Sequence, residues 1–210
     1  DQVSQCLLEG YLPITVTSWK NKGLEYEIKS FAELLDPDLK GSQKGITLCL
    51  SKITVRKTGK SKMNMADIWL NLSGYKCLIW PKEKPEDKFP PYSRTLRLEN
   101  NKLLDDADNI RLMFKSPKNT ISQFYDEYHP VKSLNSMNQL AQEKGFYKNL
   151  LHFCIPLTKK QSSIEIKLPY FHVELKYEKW LQRNFQKELA KTILYWKREY
   201  SKDTQIVTPE

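Results

Sequence analysis

Residues 173–200 contain neither Gly nor Pro, and the later part places Leu181, Phe185, Leu189, Thr192, Ile193, Trp196 and Tyr200 at spacings of three and four. That repeat puts side chains on one face of an α-helix. The sequence before this run reads as β structure, with short alternating segments separated by turn residues. A helix carrying three aromatic residues on its stripe, Phe185, Trp196 and Tyr200, needs a surface to cover. The chain therefore predicts a β domain followed by one long helix, and the surface which that helix covers decides how the whole is read.

The clearest β signal is near the start. Leu12-Pro-Ile-Thr-Val-Thr-Ser-Trp19 alternates and is rich in β-branched residues, and Asn21-Lys-Gly23 supplies a turn. Leu24, Tyr26 and Ile28 then share one face of the returning strand, so the two segments predict a hairpin. In residues 45–56, Ile46, Leu48 and Leu50 share one parity and Ile53 and Val55 the other, which predicts a bulge near Ser51. Residues 63–72 alternate, and the pattern predicts Asn64, Ala66, Ile68, Leu70 and Leu72 on the core side, with Trp69 half covered.

Residues 80–93 are rich in Pro and charge, which excludes a central strand and predicts a surface excursion. Residues 94–98 and 110–114 read as short strands around a polar turn. Residues 116–145 have weak periodicity and predict a long loop with one helical turn near 137–143. Residues 149–157 and 163–168 predict a second hairpin. The sum is mainly β: an antiparallel β-sandwich, supersandwich-like, over residues 1–170, followed by a helical linker over 171–210.

Five Trp, eight Phe and eleven Tyr are enough to fill a core. No apolar stretch approaches the length needed to span a bilayer, and residues 1–20 lack the basic-then-apolar order of a signal peptide. Starting on Asp1 points to removal of a preceding segment. The net charge of +9 is spread along the chain among acidic residues, as in Lys82-Glu-Lys-Pro-Glu-Asp-Lys88. No Arg-rich stripe interleaves with aromatics, so neither nucleic acid nor a membrane is expected as a partner.

Chemistry is sparse. Cys6, Cys49, Cys77 and Cys154 are scattered singly, and His129, His152 and His172 stand at no ligand spacing. Buried free thiols are expected, with neither a metal site nor a cofactor. Asp105, Asp106 and Asp108 offer oxygen ligands to calcium but lack the ordered twelve-residue loop. They and the Asp126–Glu127 pair are adjacent on single loops, whereas glycoside hydrolysis needs facing carboxylates about 5–10 Å apart. No nucleophile elbow or phosphate loop is present, and His152 reads as a core or interface histidine. Exposed aromatics remain: Trp80, Phe89 and Tyr92 in the Pro-rich loop, and Phe124, Tyr125 and Tyr128 in the long one. Trp80, Phe89, Tyr92 and Tyr125 are candidate carbohydrate contacts, with packing within or between domains as the competing role.

Several of these segments resemble one family. Leu8-Glu-Gly-Tyr-Leu-Pro13, Trp19, Tyr26-Glu-Ile-Lys-Ser-Phe-Ala32, and Ile53-Thr-Val-Arg-Lys-Thr-Gly59 leading into Ala66-Asp-Ile-Trp-Leu70 resemble the N-terminal β-sandwich of bacterial six-hairpin glycosidase-type proteins. Leu189-Ala-Lys-Thr-Ile-Leu-Tyr-Trp196, with Ile206-Val-Thr-Pro-Glu210, is similar to the linker helix that leads into their (α/α)6 toroid. The likeness covers residues 8–70 and 164–210 and no catalytic signature.

The resemblance implies a non-catalytic domain of a carbohydrate-processing enzyme, bacterial and periplasmic or extracellular. The general acid and base would lie on a toroid beyond Glu210. Its implied partners are the (α/α)6 domain of the same parent chain and an oligosaccharide. Leu181, Phe185, Leu189, Ile193 and Trp196 would pack the linker or the domain interface, with Leu189, Ile193 and Trp196 folding back on the sandwich. An autonomous carbohydrate-binding module and a protein-interaction domain without a sugar role are the alternatives.

Overall fold

The computed structural model describes residues 3–34, 46–59, 61–72, 96–126, 149–158, 160–170 and 172–203. Alternation and turn chemistry build the first hairpin, β2 (Leu12–Asn21) and β3 (Leu24–Leu34). Lys22 and Gly23 both have positive φ, 48° and 74°, and Asn21 pairs with Leu24. Two left-handed residues between paired strands match the right-handed twist of a hairpin. A Cβ on Gly23 would lie 3.3 Å from the side chain of Ser61, so only glycine fits there without strain.

A short strand, β1 (Ser4–Leu8), pairs with β2, and β4 (Thr47–Lys57) pairs with β3. The chain continues through β5 (Met65–Asn71), β6 (Leu96–Glu99), β7 (Lys102–Asp105), β8 (Ile110–Lys115), β9 (Ile121–Asp126), β10 (Asn149–Pro156) and β11 (Gln161–Pro169). Eight strands form one antiparallel sheet in the order β1-β2-β3-β4-β11-β8-β7-β6, and β5-β10-β9 form a second. A 3-10 helix (Leu175–Leu181) and one long helix, α1 (Phe185–Asp203), follow. The fold is mainly β, two antiparallel sheets and then a C-terminal helix.

The small sheet covers one face of the large one. Ala66, Ile68, Leu151, Phe153 and Ile155 pack there against Leu24, Tyr26, Ile53, Val55, Phe114, Ile164 and Ile166. Phe153 is fully buried, with its ring centroid 4.8 Å from that of Phe114. The helix covers the opposite face. Leu181 and Phe185 are buried against Leu12, Ile14, Phe31, Leu48, Leu50 and Met113, and Leu189, Ile193 and Trp196 lie partly buried on the same cluster. Each large side chain so buried contributes about 1.5–3 kcal/mol before ordering costs.

Several expectations change. The switch of parity in β4 is not a bulge, because its register with both β3 and β11 is continuous. Leu48 and Leu50 face the helix while Ile53 and Val55 face the small sheet, so the strand buries opposite faces at its two ends. β10 and β11 are not a hairpin. They belong to different sheets, β10 between β5 and β9 and β11 between β4 and β8. β1, β7 and β9 are strands that the sequence pattern did not predict, β9 within the presumed long loop. The helical run is also interrupted. Val173 forms an isolated bridge with Ile110, and α1 begins only after Asn184. The Asn184 side chain accepts the backbone N–H of Lys187 at 3.0 Å, an N-cap that starts a new helix. The expected helical turn at 137–143 lies outside the described residues.

Candidate functional site

Three clusters bring chemically useful side chains together. The most accessible is the outer face of the small sheet. With Ala66 and Ile68 turned into the core, alternation turns Asp67 and Trp69 outward. On β10, Leu151 and Phe153 point inward, which leaves His152 and Cys154 outward, and β9 brings Gln123 and Tyr125 to the same face. Trp69, His152 and Gln123 form one cross-strand row, and Asp67, Cys154 and Ile121 the next.

The Trp69 and His152 rings are stacked at 3.9 Å with 10° between planes, and Trp69 and Tyr125 lie at 5.8 Å and 28°. His152 Nε2 is 2.8 Å from Asp67 Oδ1, while its Nδ1 is buried with no hydrogen-bond partner. The Tyr125 hydroxyl donates to Gln123. Burial and the neighbouring Asp67 carboxylate push the Cys154 thiol above its ordinary value, which keeps it protonated and a poor nucleophile. The arrangement offers planar surfaces, a carboxylate, an amide and an imidazole on a rigid support.

A second cluster lies beneath α1. Arg183 Nη1 is 3.3 Å from Oε2 of Glu33 on β3, and Lys191 Nζ is 3.0 Å from Oε2 of Glu188 on α1. Glu188 is only 5% exposed. Burial and the Glu188 charge raise the Glu33 carboxyl, and Arg183 and Lys191 oppose them. Burial acts upward on Glu188 too, but Lys191, through its hydrogen bond and its charge, holds that carboxyl low. Lys167 is buried on the same sheet face, and burial lowers its ammonium.

The third cluster is the turn after β7. Asp105 Oδ1 accepts the backbone N–H of Ala107 and Asn109 at 3.0 and 2.9 Å, and Oδ2 accepts Arg111 Nε at 2.9 Å. Burial pushes this carboxyl up, yet Asn109, Arg111 and Ala107 together hold it below its usual range. Arg97 donates to the Asp105 carbonyl oxygen and pairs with Asp108. The Asp105 carboxylate is thus spent on N–H donors, as part of a turn. Among the described residues, no group of three or more His, Cys, Asp and Glu is arranged to hold a metal ion.

Of the candidate sugar contacts, Tyr125 lies on the outer face of the small sheet, while Trp80, Phe89 and Tyr92 fall outside the described residues. Phe124 packs toward the core. Tyr128, His129, Cys77 and Glu127 are likewise outside the described residues. Cys6, Cys49 and Cys154 are free thiols, but none of the three is buried as expected: Cys6 is exposed and the other two are half-buried, since each sits at a strand position turned away from the core. Asp67, Trp69 and Gln123 were not singled out from the sequence. The available signal was parity: a strand with Ala66, Ile68 and Leu70 inward must present Asp67 and Trp69 outward.

Among the described residues no helix is long and apolar enough to cross a membrane. Comparison with protein-family models, curated proteins and solved structures finds no match to this chain.

Proposed function

We propose that the chain is a non-catalytic β-sandwich domain of a carbohydrate-processing protein, and that it contacts oligosaccharide through the outer face of the small sheet. The observation that carries this reading is the Trp69–His152 stack, flanked by Tyr125, Asp67 and Gln123. Sugars present C–H faces that pack on flat rings and hydroxyls that both donate and accept. Rings held by cross-strand neighbours lose little rotamer freedom on binding, which favours affinity. The burial of Glu188 on the inner side of α1, where it is 5% exposed, keeps that carboxylate from a substrate and supports a non-catalytic role. On this reading α1 is the element joining the sandwich to an (α/α)6 catalytic domain of the parent chain.

Calorimetric titration with a panel of neutral and acidic oligosaccharides tests the proposal. Binding of millimolar strength or better is expected, lost in Trp69→Ala and weakened in Tyr125→Ala. Flat titrations across the panel, or binding indifferent to both substitutions, would overturn it.

The protein-interaction alternative draws on α1, where Leu194 and Tyr195 are 69% and 57% exposed. If that face carries the function, Leu194→Ala with Tyr195→Ala abolishes partner capture while Trp69→Ala leaves it intact.

A further inference from the structure

Lys167 of β11 is 5% exposed, and among the described residues its ammonium makes neither a hydrogen bond nor an ion pair. Lysine is rarely buried to this degree without a partner, because desolvating the charge costs more than the stem gains. Neither the sugar-contact face nor the seating of α1 uses this group. We propose that Lys167, with Lys52 and Lys115, forms a binding site for a phosphate- or sulfate-type oxyanion on the helix-facing side of the large sheet, opposite the Trp69 surface.

Strand register places the three lysines together. Phe31 of β3, Leu50 of β4, Lys167 of β11 and Met113 of β8 stand opposite one another in one cross-strand row. Phe31, Leu50 and Met113 belong to the apolar cluster under α1, and the Phe31 ring lies 5.4 Å from that of Phe185. The stem of Lys167 therefore sits between Leu50 and Met113. The next row along the strands is Lys29, Lys52, Glu165 and Lys115. Lys52 and Lys115 flank Glu165 on either side, and each is a diagonal neighbour of Lys167. Such neighbours are about 7–8 Å apart, within reach of long side chains. Lys52 Nζ lies 5.9 Å from the centre of the Phe185 ring, so this side chain leans toward the Lys167 row.

The local charge does not balance. Lys29 is paired with Glu27 at 3.5 Å. Lys52, Lys115, Lys167 and Glu165 form no ion pair among the described residues, which leaves three ammonium groups around one carboxylate. Lys29 and Lys52 also stand directly opposite, an arrangement of like charges that weakens a sheet. Burial is the main cause lowering the Lys167 ammonium, Lys115 and Arg183 push the same way, and Glu165 opposes them. A doubly charged oxyanion answers this excess. Its oxygens accept from several ammonium donors at once, and its charge offsets the two that Glu165 leaves uncompensated.

Thermal unfolding of the whole chain in phosphate, sulfate or chloride at matched ionic strength tests the site. Phosphate and sulfate should raise the midpoint along a saturating curve, as ligand linkage requires. The general salting effect of these anions rises without saturation and serves as the baseline. Lys167→Met keeps the unbranched stem, removes the charge, and should abolish the saturating part while raising the midpoint in chloride. Lys52→Gln and Lys115→Gln, at half-buried and exposed positions, should each weaken the anion by about tenfold, and Trp69→Ala should leave it unchanged. A sulfated oligosaccharide that binds more tightly than inorganic sulfate, with its desulfated form inert at this site, would identify the group as a sugar ester; equal affinity would identify the free ion. A native chain with no saturating response to either anion would overturn the proposal. So would undiminished affinity in Lys167→Met, or in Lys52→Gln and Lys115→Gln together.

Discussion

The two faces of the large sheet are covered in different ways. On one, the small sheet contributes a continuous apolar layer in which Phe153, Leu151 and Ile155 meet Phe114, Ile164 and Ile166. On the other, α1 contributes an apolar stripe together with Glu188, Lys191 and the neighbouring Arg183, set against Glu33 and Lys167. An apolar layer depends little on pH and yields only with the whole fold. A helix seated partly on ionisable groups can come away by itself, because burying charge without full compensation costs much of what the apolar contacts gain. The same eight strands thus carry a fixed cover and a conditional one.

The sharpest way to break this contrast is Phe153→Ala. Phe153 is 0% exposed at the meeting of the two sheets, and its loss should cost about 3–5 kcal/mol. Urea unfolding followed by strand and helix signals together should show one cooperative transition at lower midpoint. Separate transitions would mean that the small sheet is not the fixed cover.

A smaller effect is expected at the turn between β7 and β8. Asp105 orients Arg111 and Asn109 beside Ile110, which bridges to Val173 at the approach to the helices. Asp105→Ala should cost about 1.5–3 kcal/mol, since charge-assisted hydrogen bonds are removed and their donors left behind. The folded pKa of Asp105 lies below its ordinary 3.8. Its stabilisation is therefore present above that value and lost as pH falls through the folded pKa. The native chain should lose stability in acid along a limb that Asp105→Ala flattens, and identical acid profiles would count against this role.

The smallest effect is reserved for the conditional cover. Asn184→Ala removes the cap on α1 and should cost about 1 kcal/mol. The loss should appear in hydrogen exchange of α1 and leave β10 unchanged. Equal loss in both would show that helix and sheets open as one unit.

Legibility of the sequence followed locality. The β2–β3 hairpin was readable because alternation and Lys22–Gly23 act within a few residues. The core parity of Ala66 and Ile68 was readable for the same reason, and the apolar stripe of α1 marked a helix. β9 was missed because Ile121, Phe124 and Tyr125 do not alternate cleanly, and β10 supplies the pairing that makes the segment a strand. The candidate surface was half legible. Tyr125 was singled out, but Trp69 and Asp67 were not, since their role depends on His152, which lies eighty-five positions from Asp67.

By itself the sequence determined a mainly β chain with one C-terminal helix, because side-chain period and turn residues act along the backbone. Only the tertiary structure decided that β4 buries opposite faces at its two ends, that β10 and β11 part into different sheets, and that Glu33 pairs with Arg183. Each of these depends on which element lies across a face. That is settled by packing between residues far apart in the chain, to which local periodicity is blind.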